Sequence, residues 1–311
     1  MTTAAELASY ASSFPSFRNR IINGNFDIWQ RGTSQTSSGY GSADRWESFH
    51  SGSTKTASQQ AFTVGQTDVP SNPKYYLRHV VSSVAGSGNR VLVNQKIEGV
   101  STLAGQTVTL SFWAKADSNK SIATEFVHNF GTGGSPSTAI TGIQVVTHNL
   151  TASWQKFTAT VAIPSISGKT IGSDNNDYIS FAFWFDAGSD YNSRTNLLGQ
   201  QSGTFDIAQV QLEEGTVATP FEHRPIELAL CQRYYQIDEE IAIRVNNTST
   251  PFRAPIHLKV SMRESPAVAF PSGSGLTNLS VYGTPTKHHF NINHSTQLVD
   301  MSATYTADAE L

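Results

Sequence analysis

Between Arg20 and Phe221, apolar and polar residues alternate in short runs cut by clusters of Gly, Pro, Asn, Asp and Ser, and this period of two predicts strands. Seven runs are clearest: Tyr75 to Val81, Arg90 to Ile97, Thr107 to Ala116, Ile122 to Asn129, Trp154 to Ile163, Tyr178 to Asp186 and Thr204 to Leu212. In Thr107 to Ala116, Val108, Leu110, Phe112 and Ala114 share one face, opposite Thr109, Ser111 and Trp113, as in half-buried antiparallel strands. Ile179, Phe181, Phe183 and Phe185 likewise oppose Tyr178, Ser180, Ala182, Trp184 and Asp186, while Phe157, Ala159, Val161 and Ile163 oppose Lys156, Thr158 and Thr160. The phase of Thr204 to Leu212 changes between Ile207 and Ala208, which predicts a β-bulge. So many short strands imply two packed sheets, a jelly-roll β-sandwich or a related one.

The flanks differ. Residues 4 to 14 place Leu7, Tyr10, Ala11 and Phe14 on one face of a short helix that Pro15 stops. A helix this short is marginal alone in water, so it is expected to dock on something. Asn23-Gly24 predicts a turn, and Phe26 and Ile28 against Asn25, Asp27 and Trp29 predict an opening strand. Trp29 and Trp46 are expected to pack this first wrap around an Asp44-Arg45 corner. After the sandwich, Pro220 and Pro225 punctuate a bridge, and Ile226, Leu228, Leu230, Cys231, Tyr234 and Tyr235 suit a short helix. Candidate strands then follow at Ile241 to Asn246, Phe252 to Met262, Ala267 to Phe270, Leu276 to Tyr282 and His288 to Asn293, with a last one ending near Tyr305. The expected organisation is an attachment segment (1–19), a jelly-roll (20–221), a helical linker (222–237) and a small C-terminal β domain (238–311).

Composition narrows the partners. Only 14% of the 311 residues are charged, against roughly 25% in ordinary soluble domains, and the net charge is -3. No net positive field exists to attract phosphates, which argues against nucleic acid and anionic membrane. The first residues lack a basic stretch followed by an apolar one, and no run is apolar for long enough to span a bilayer, so synthesis in a cytoplasm is expected. Sequons such as Asn119-Lys120-Ser121 are then chance. The single cysteine, Cys231, excludes an internal disulfide and sits in an apolar helical pattern, as a small buried hydrophobe would.

Catalytic patterns are absent: no strand-turn-helix Gly-x-Ser-x-Gly appears, and Gly131-Thr132-Gly133-Gly134 lacks the lysine and helix of a phosphate loop. A glycosidase pair drawn from Asp44, Glu47, Glu125, Asp186 and Asp190 stays open, because such acids meet only in the fold. His288, His289 and His294 do not share one strand face, so a single strand does not gather them around a metal. The aromatic distribution says more. Trp113 and Trp184 each lie on the polar face of a strand, with Tyr178 beside Trp184 and the acids Asp186 and Glu125 nearby. A flat ring with hydrogen-bonding neighbours is what a neutral sugar needs. The alternative is that a loop such as 33–42, or another subunit, covers these rings.

The words IINGNFDIWQRG and Y(x)3DRW near the start, QLEEG(x)4PFE and ELALCQRYYQ at the bridge, and FRAPIHLKVSMRESPAV with the terminal TYTADAEL together resemble bacteriophage tail-fibre and receptor-binding proteins with a carbohydrate-binding-like jelly-roll. That resemblance implies a non-catalytic homotrimer in the virion tail that attaches to other tail or baseplate proteins and adheres to host surface polysaccharide. It also implies, through GTFDIAQVQLEEG, a calcium held near Asp206. Two alternatives remain: a virion decoration, baseplate or capsid-associated protein whose jelly-roll is only structural, and a short polysaccharide depolymerase.

Overall fold

In the computed structural model, which describes residues 17–244, 252–271, 279–294 and 300–311, the alternating runs pair into antiparallel sheets. The helix expected over residues 4 to 14 lies outside the described residues. The chain divides into two units, Met1–Pro225 and Ile226–Leu311.

The first unit holds β1 (Ser34–Gln35), β2 (Glu47–Ser51), β3 (Thr54–Ala61), β4 (Tyr75–Ser82), β5 (Arg90–Glu98), β6 (Thr107–Ala116), β7 (Lys120–Asn129), β8 (Ile140–Leu150), β9 (Gln155–Ala162), β10 (Tyr178–Ala187) and β11 (Gly203–Glu214). A single helical turn, α1 (Asn192–Thr195), follows a 3-10 turn at Ser189–Tyr191. One sheet has the order β1-β3-β4-β11-β6-β9 and the other β2-β5-β10-β7-β8. The molecule is all-β, and its main body is the two-sheet sandwich the alternation implies. The inward residues are the predicted ones: Val108, Leu110, Phe112 and Ala114 of β6 and Ile179, Phe181, Phe183 and Phe185 of β10 are all buried in one core. Phe112 and Phe183 meet edge-on with ring centroids 4.9 Å apart, a geometry that the aromatic quadrupole favours.

The bulge in β11 lies just past its expected place. Pairing with β6 slips between Ala208 and Gln211, and Gln209 takes φ 47, an uncommon value for a residue with a side chain. The slip frees Val210, whose N–H donates to the Gly24 carbonyl at 2.8 Å. A Cβ on Gly24 would lie 2.0 Å from the Val210 carbonyl oxygen, so only glycine permits this approach. Around it, the Arg20 N–H donates to the Leu212 carbonyl (2.8 Å), and Asn19 accepts from the Leu212 N–H at Oδ1 (3.0 Å) while donating from Nδ2 to the Val210 carbonyl (3.2 Å).

The opening strand predicted over Asn25 to Trp29 does not form. The side chain of Asn23, at φ 57, replaces a strand partner there: its Oδ1 accepts from the Ile28 N–H (3.0 Å) and its Nδ2 donates to the carbonyls of Ile28 (2.8 Å) and Asp44 (3.0 Å). Trp46 is fully buried, and its indole donates to the Asn23 carbonyl at 3.1 Å. Trp29 packs half-buried against the same core.

The second unit begins with the short helix α2 (Glu227–Gln232), in which Cys231 is buried. Its strands β12 (Tyr235–Arg244), β13 (Phe252–His257), β14 (Ala267–Ala269), β15 (Leu279–Tyr282), β16 (His289–His294) and β17 (Asp300–Asp308) form two small sheets, β12-β17-β14 and β13-β16-β15. Met262, Phe290, Ile292, Tyr305 and Ala307 build its own core. The alternation in β16 turns Phe290 and Ile292 inward, while His289 shares a 3.1 Å hydrogen bond with Thr286. The side chain of His294 lies outside the described residues.

Candidate functional site

The register of the six-stranded sheet lays polar and aromatic side chains across its outer face. Asp206 of β11 stands between Arg78 of β4 and Lys115 of β6. In the next row outward-facing Trp113 lies between Ala208 of β11 and Lys156 of β9.

Two loops rise over this row. One is shaped by Gln66, which exchanges two 2.8 Å hydrogen bonds with the backbone of Val69. The other follows β11: Glu213 accepts from the N–H and hydroxyl of Thr219, both at 2.8 Å, and Gln211 accepts from the Glu222 N–H at 2.8 Å. Between them runs a groove of about 350 Å³ lined by Pro70, Ser71, Ser111, Trp113, Lys156, Gln209, Ala218, Pro220 and Phe221. The bulge serves it directly, because Gln209 at its strained φ lines the groove and donates to the Pro70 carbonyl at 2.9 Å. Strain kept at a cleft is a pointer to use. A half-buried indole, a phenyl ring and the rim groups of Ser111, Gln209 and Lys156 can take the C–H face of a sugar ring and hydrogen-bond its hydroxyls.

Beside the groove, Phe62, Tyr76 and Trp154 form an aromatic cluster with centroids 4.8 to 5.3 Å apart. The Lys115 ammonium lies 5.3 Å from the Trp154 ring. A larger concavity of about 720 Å³ is formed by the two ends of the β3–β4 connection, residues 61–65 and 72–75. The Trp113 groove is the better candidate, since it gathers side chains from three strands and two loops.

The sugar-binding residues expected from sequence do not gather at an open site; Trp184 and Glu125 meet, but in the interior. Trp184 is fully buried on the outer face of the five-stranded sheet, in a small cluster with Leu92, Ala123, Ala182 and Ala187. Its cover is the segment after β10 rather than loop 33–42: Tyr191 lies 5.3 Å from its ring and the Arg194 guanidinium 5.0 Å above it. Glu125 is equally buried and is used up, accepting from Trp184 Nε1 (3.0 Å) and the Gly142 N–H (2.9 Å) while pairing with Arg194. Asp186, also buried, accepts from the hydroxyls of Ser53 (2.6 Å) and Ser83 (2.7 Å) and the N–H of Gln201 (2.8 Å). These three hold the sandwich together, which corrects the sugar-binding expectation for them. Tyr178 stays half-buried on that face, with the Lys96 ammonium 5.3 Å from its ring and its hydroxyl accepting from Asn129 at 3.3 Å. Burial chiefly raises its phenol pKa. Of the five, Trp113 alone lines the groove, and none of the five carboxylates weighed as a glycosidase pair does.

The calcium implied near Asp206 does not fit the residues present. Both carboxylate oxygens accept from Arg78, at 2.7 and 2.8 Å, and Lys115 stands 3.8 Å away. Two cations already supply the charge an ion would bring, whereas calcium needs six to eight oxygens. Among the described residues, no three His, Cys, Asp or Glu side chains gather to hold a metal. Nor is any helix among them long and apolar enough to cross a membrane.

Sequence reasoning missed Gln209, Pro220 and Phe221. The phase change in β11 and the prolines after it were the available signals, but only the fold shows that they converge on Trp113.

No protein-family model matches the chain, and no curated protein matches it. Several solved structures are similar to part of the chain. One, described as "CBM4 structure and function", is 21% identical, with a TM-score of 0.35 and 63% of this chain covering 99% of that one. The family 11 carbohydrate-binding module from Clostridium thermocellum, solved in complex with a β-1,3-1,4-mixed-linked tetrasaccharide, is 10% identical over 60% of this chain and 98% of its own (TM-score 0.34). The enzymatically active domain of bacteriophage CBA120 tailspike protein 4 is 12% identical over 63% of this chain but only 21% of its own (TM-score 0.35).

Proposed function

We propose that this protein is a non-catalytic glycan-binding protein of a bacteriophage tail fibre or tail tip, and that its jelly-roll adheres to host surface polysaccharide through the Trp113 groove. The observation that carries the binding reading is the groove itself: an accessible indole flanked by Phe221 and rimmed by Ser111, Gln209 and Lys156. Adhesion rather than cleavage is supported by the lining, which contains no carboxylate to act as acid, base or nucleophile. The tail assignment is supported by the motifs at the start, bridge and end of the sequence.

A groove of this size covers only a few sugar rings, so single contacts are weak. In a homotrimer, carried in several copies per virion, avidity would rise by roughly a hundredfold or more if geometry allows simultaneous engagement. The direct test is binding of purified protein to host cells and to a glycan array. Trp113→Ala is expected to abolish binding without unfolding the sandwich, and unchanged binding by that variant would remove the groove from the function. Light scattering checks the trimer: a mass near the 33.7 kDa monomer contradicts it. Imaging of virions with a labelled antibody checks the tail location.

A further inference from the structure

Resting on the glycan reading above, we infer that the sugar held against Trp113 is anionic, carrying a carboxylate or phosphate group. The rows of the six-stranded sheet put one ammonium group in the groove lining beside that indole and a second one row away. Lys156 is its register partner on β9, exposed and part of the groove lining. Lys115 lies two residues along β6 on the same face of the sheet.

The acids of this face do not offset them toward a ligand. Asp206 has a side chain only 3% exposed, with both oxygens engaged by Arg78. Lys115, 27% exposed, stands 3.8 Å from Asp206 with its ammonium 5.3 Å from the Trp154 ring, outside the groove lining, so it adds positive charge at a distance while Lys156 stands in the groove itself. Glu213, the other carboxylate in line, is 3% exposed and spends its oxygens on Thr219 and Gln211. What the strand rows offer a ligand is therefore positive, in a chain whose net charge is -3, while the exposed Asp68 lies in the flanking loop two residues from Pro70 and outside the groove lining. A neutral sugar needs the ring and the hydroxyl-binding rim alone. Lysine adds a strongly hydrated point charge with three donors, suited to either anion.

The test is an array carrying neutral glycans, uronate- or sialate-bearing glycans, and phosphate-bearing glycans such as glycerol-phosphate teichoic acid, probed at low and high salt. Hits are expected among the anionic glycans, with binding falling as salt rises. Lys156→Gln should weaken it about threefold to fivefold, the scale of an exposed ion pair, and Lys115→Gln by less, since that ammonium lies outside the groove lining. Loss of binding on carboxyl reduction of a uronate hit assigns carboxylate, and hits confined to teichoic acid assign phosphate. Hits on neutral glycans that are indifferent to salt and to both lysine variants, yet lost in Trp113→Ala, overturn the charge assignment and leave the groove standing. An array on which nothing binds counts against the glycan reading itself.

Discussion

The outer faces of the two sheets each present a tryptophan flanked along its own strand face by small or polar residues, Ser111 and Lys115 in one case and Ala182 and Asp186 in the other, and the fold treats them oppositely. Trp184 is sealed beneath Tyr191 and Arg194, with its N–H on a buried carboxylate. Trp113 is left at the floor of a groove between two loops. An aromatic on the polar side of a strand is thus not a ligand platform by virtue of its strand; the segment that does or does not fold over it decides. On the five-stranded sheet that segment ends in a helical turn carrying the arginine that Glu125 needs. On the six-stranded sheet the loops are shaped by their own bonds, Gln66 to Val69 and Glu213 to Thr219, and leave a groove over the half-buried ring.

The largest effect that would break this contrast is on stability. Trp184→Ala is expected to cost about 3 to 5 kcal/mol in urea unfolding, as for other large-to-small core changes. A loss below about 1 kcal/mol would mean the ring is not sealed. Next comes Arg194→Ala, which strands the Glu125 carboxylate in the interior and should cost about 3 kcal/mol. The double variant Arg194→Met with Glu125→Gln should recover much of that cost, because no unpaired charge is then buried.

Acid probes the interior that both faces cover. Burial lowers the His79 pKa to about 3 and the His148 pKa to about 4, against an ordinary 6.5. The unfolded chain therefore binds protons on these imidazoles that the folded chain refuses. Their contribution is fully present above about pH 6.5 and falls as the pH drops from there toward the folded values, by about 2 kcal/mol per histidine at pH 5. His148→Gln should remove one such share from the difference in unfolding free energy between pH 7 and 5. An unchanged difference would show that His148 protonates freely in the fold. The smallest effect belongs to Trp113→Ala, expected to change unfolding free energy by less than about 1 kcal/mol while eliminating glycan binding. A large stability loss there would make the two tryptophans alike after all.

Much of the sandwich was legible because alternation in strands such as β6 and β10 is set by the core they face. All seven predicted strands form, each end within two residues of its expected place. The strands that went unread lack that signature. In β3, Lys55 is buried and only Ala57 is an apolar inward residue, while β8 carries left-handed Gly142 and Gln144 and two breaks in its register with β7. The opening strand was over-read, since apolar spacing cannot show that Asn23 will take the backbone bonds for itself. At the site, Trp113 was legible as a ring on a polar face. Its distinction from Trp184 was not, because the cover over Trp184 comes from Ser-Asp-Tyr-Asn-Ser-Arg-Thr, which reads as an ordinary loop. The partners of Asp206 are fixed only by register, so the arginine that displaces a calcium there could not be foreseen.

The tie between Asn19 and the bulged end of β11 also governs when the sandwich can form. Its two contacts span 191 and 193 residues of chain, so although the first wrap meets Asp44, Trp46 and Gln95 early, its tie to β11 waits until nearly all of the sandwich has been made. At about 5 to 20 residues per second, the ribosome leaves the early strands waiting roughly 10 to 40 seconds for the one that locks them. Such distant pairing also makes folding intrinsically slow. A nascent chain arrested before residue 210 should therefore be protease-sensitive throughout, and one released only a few residues later should not.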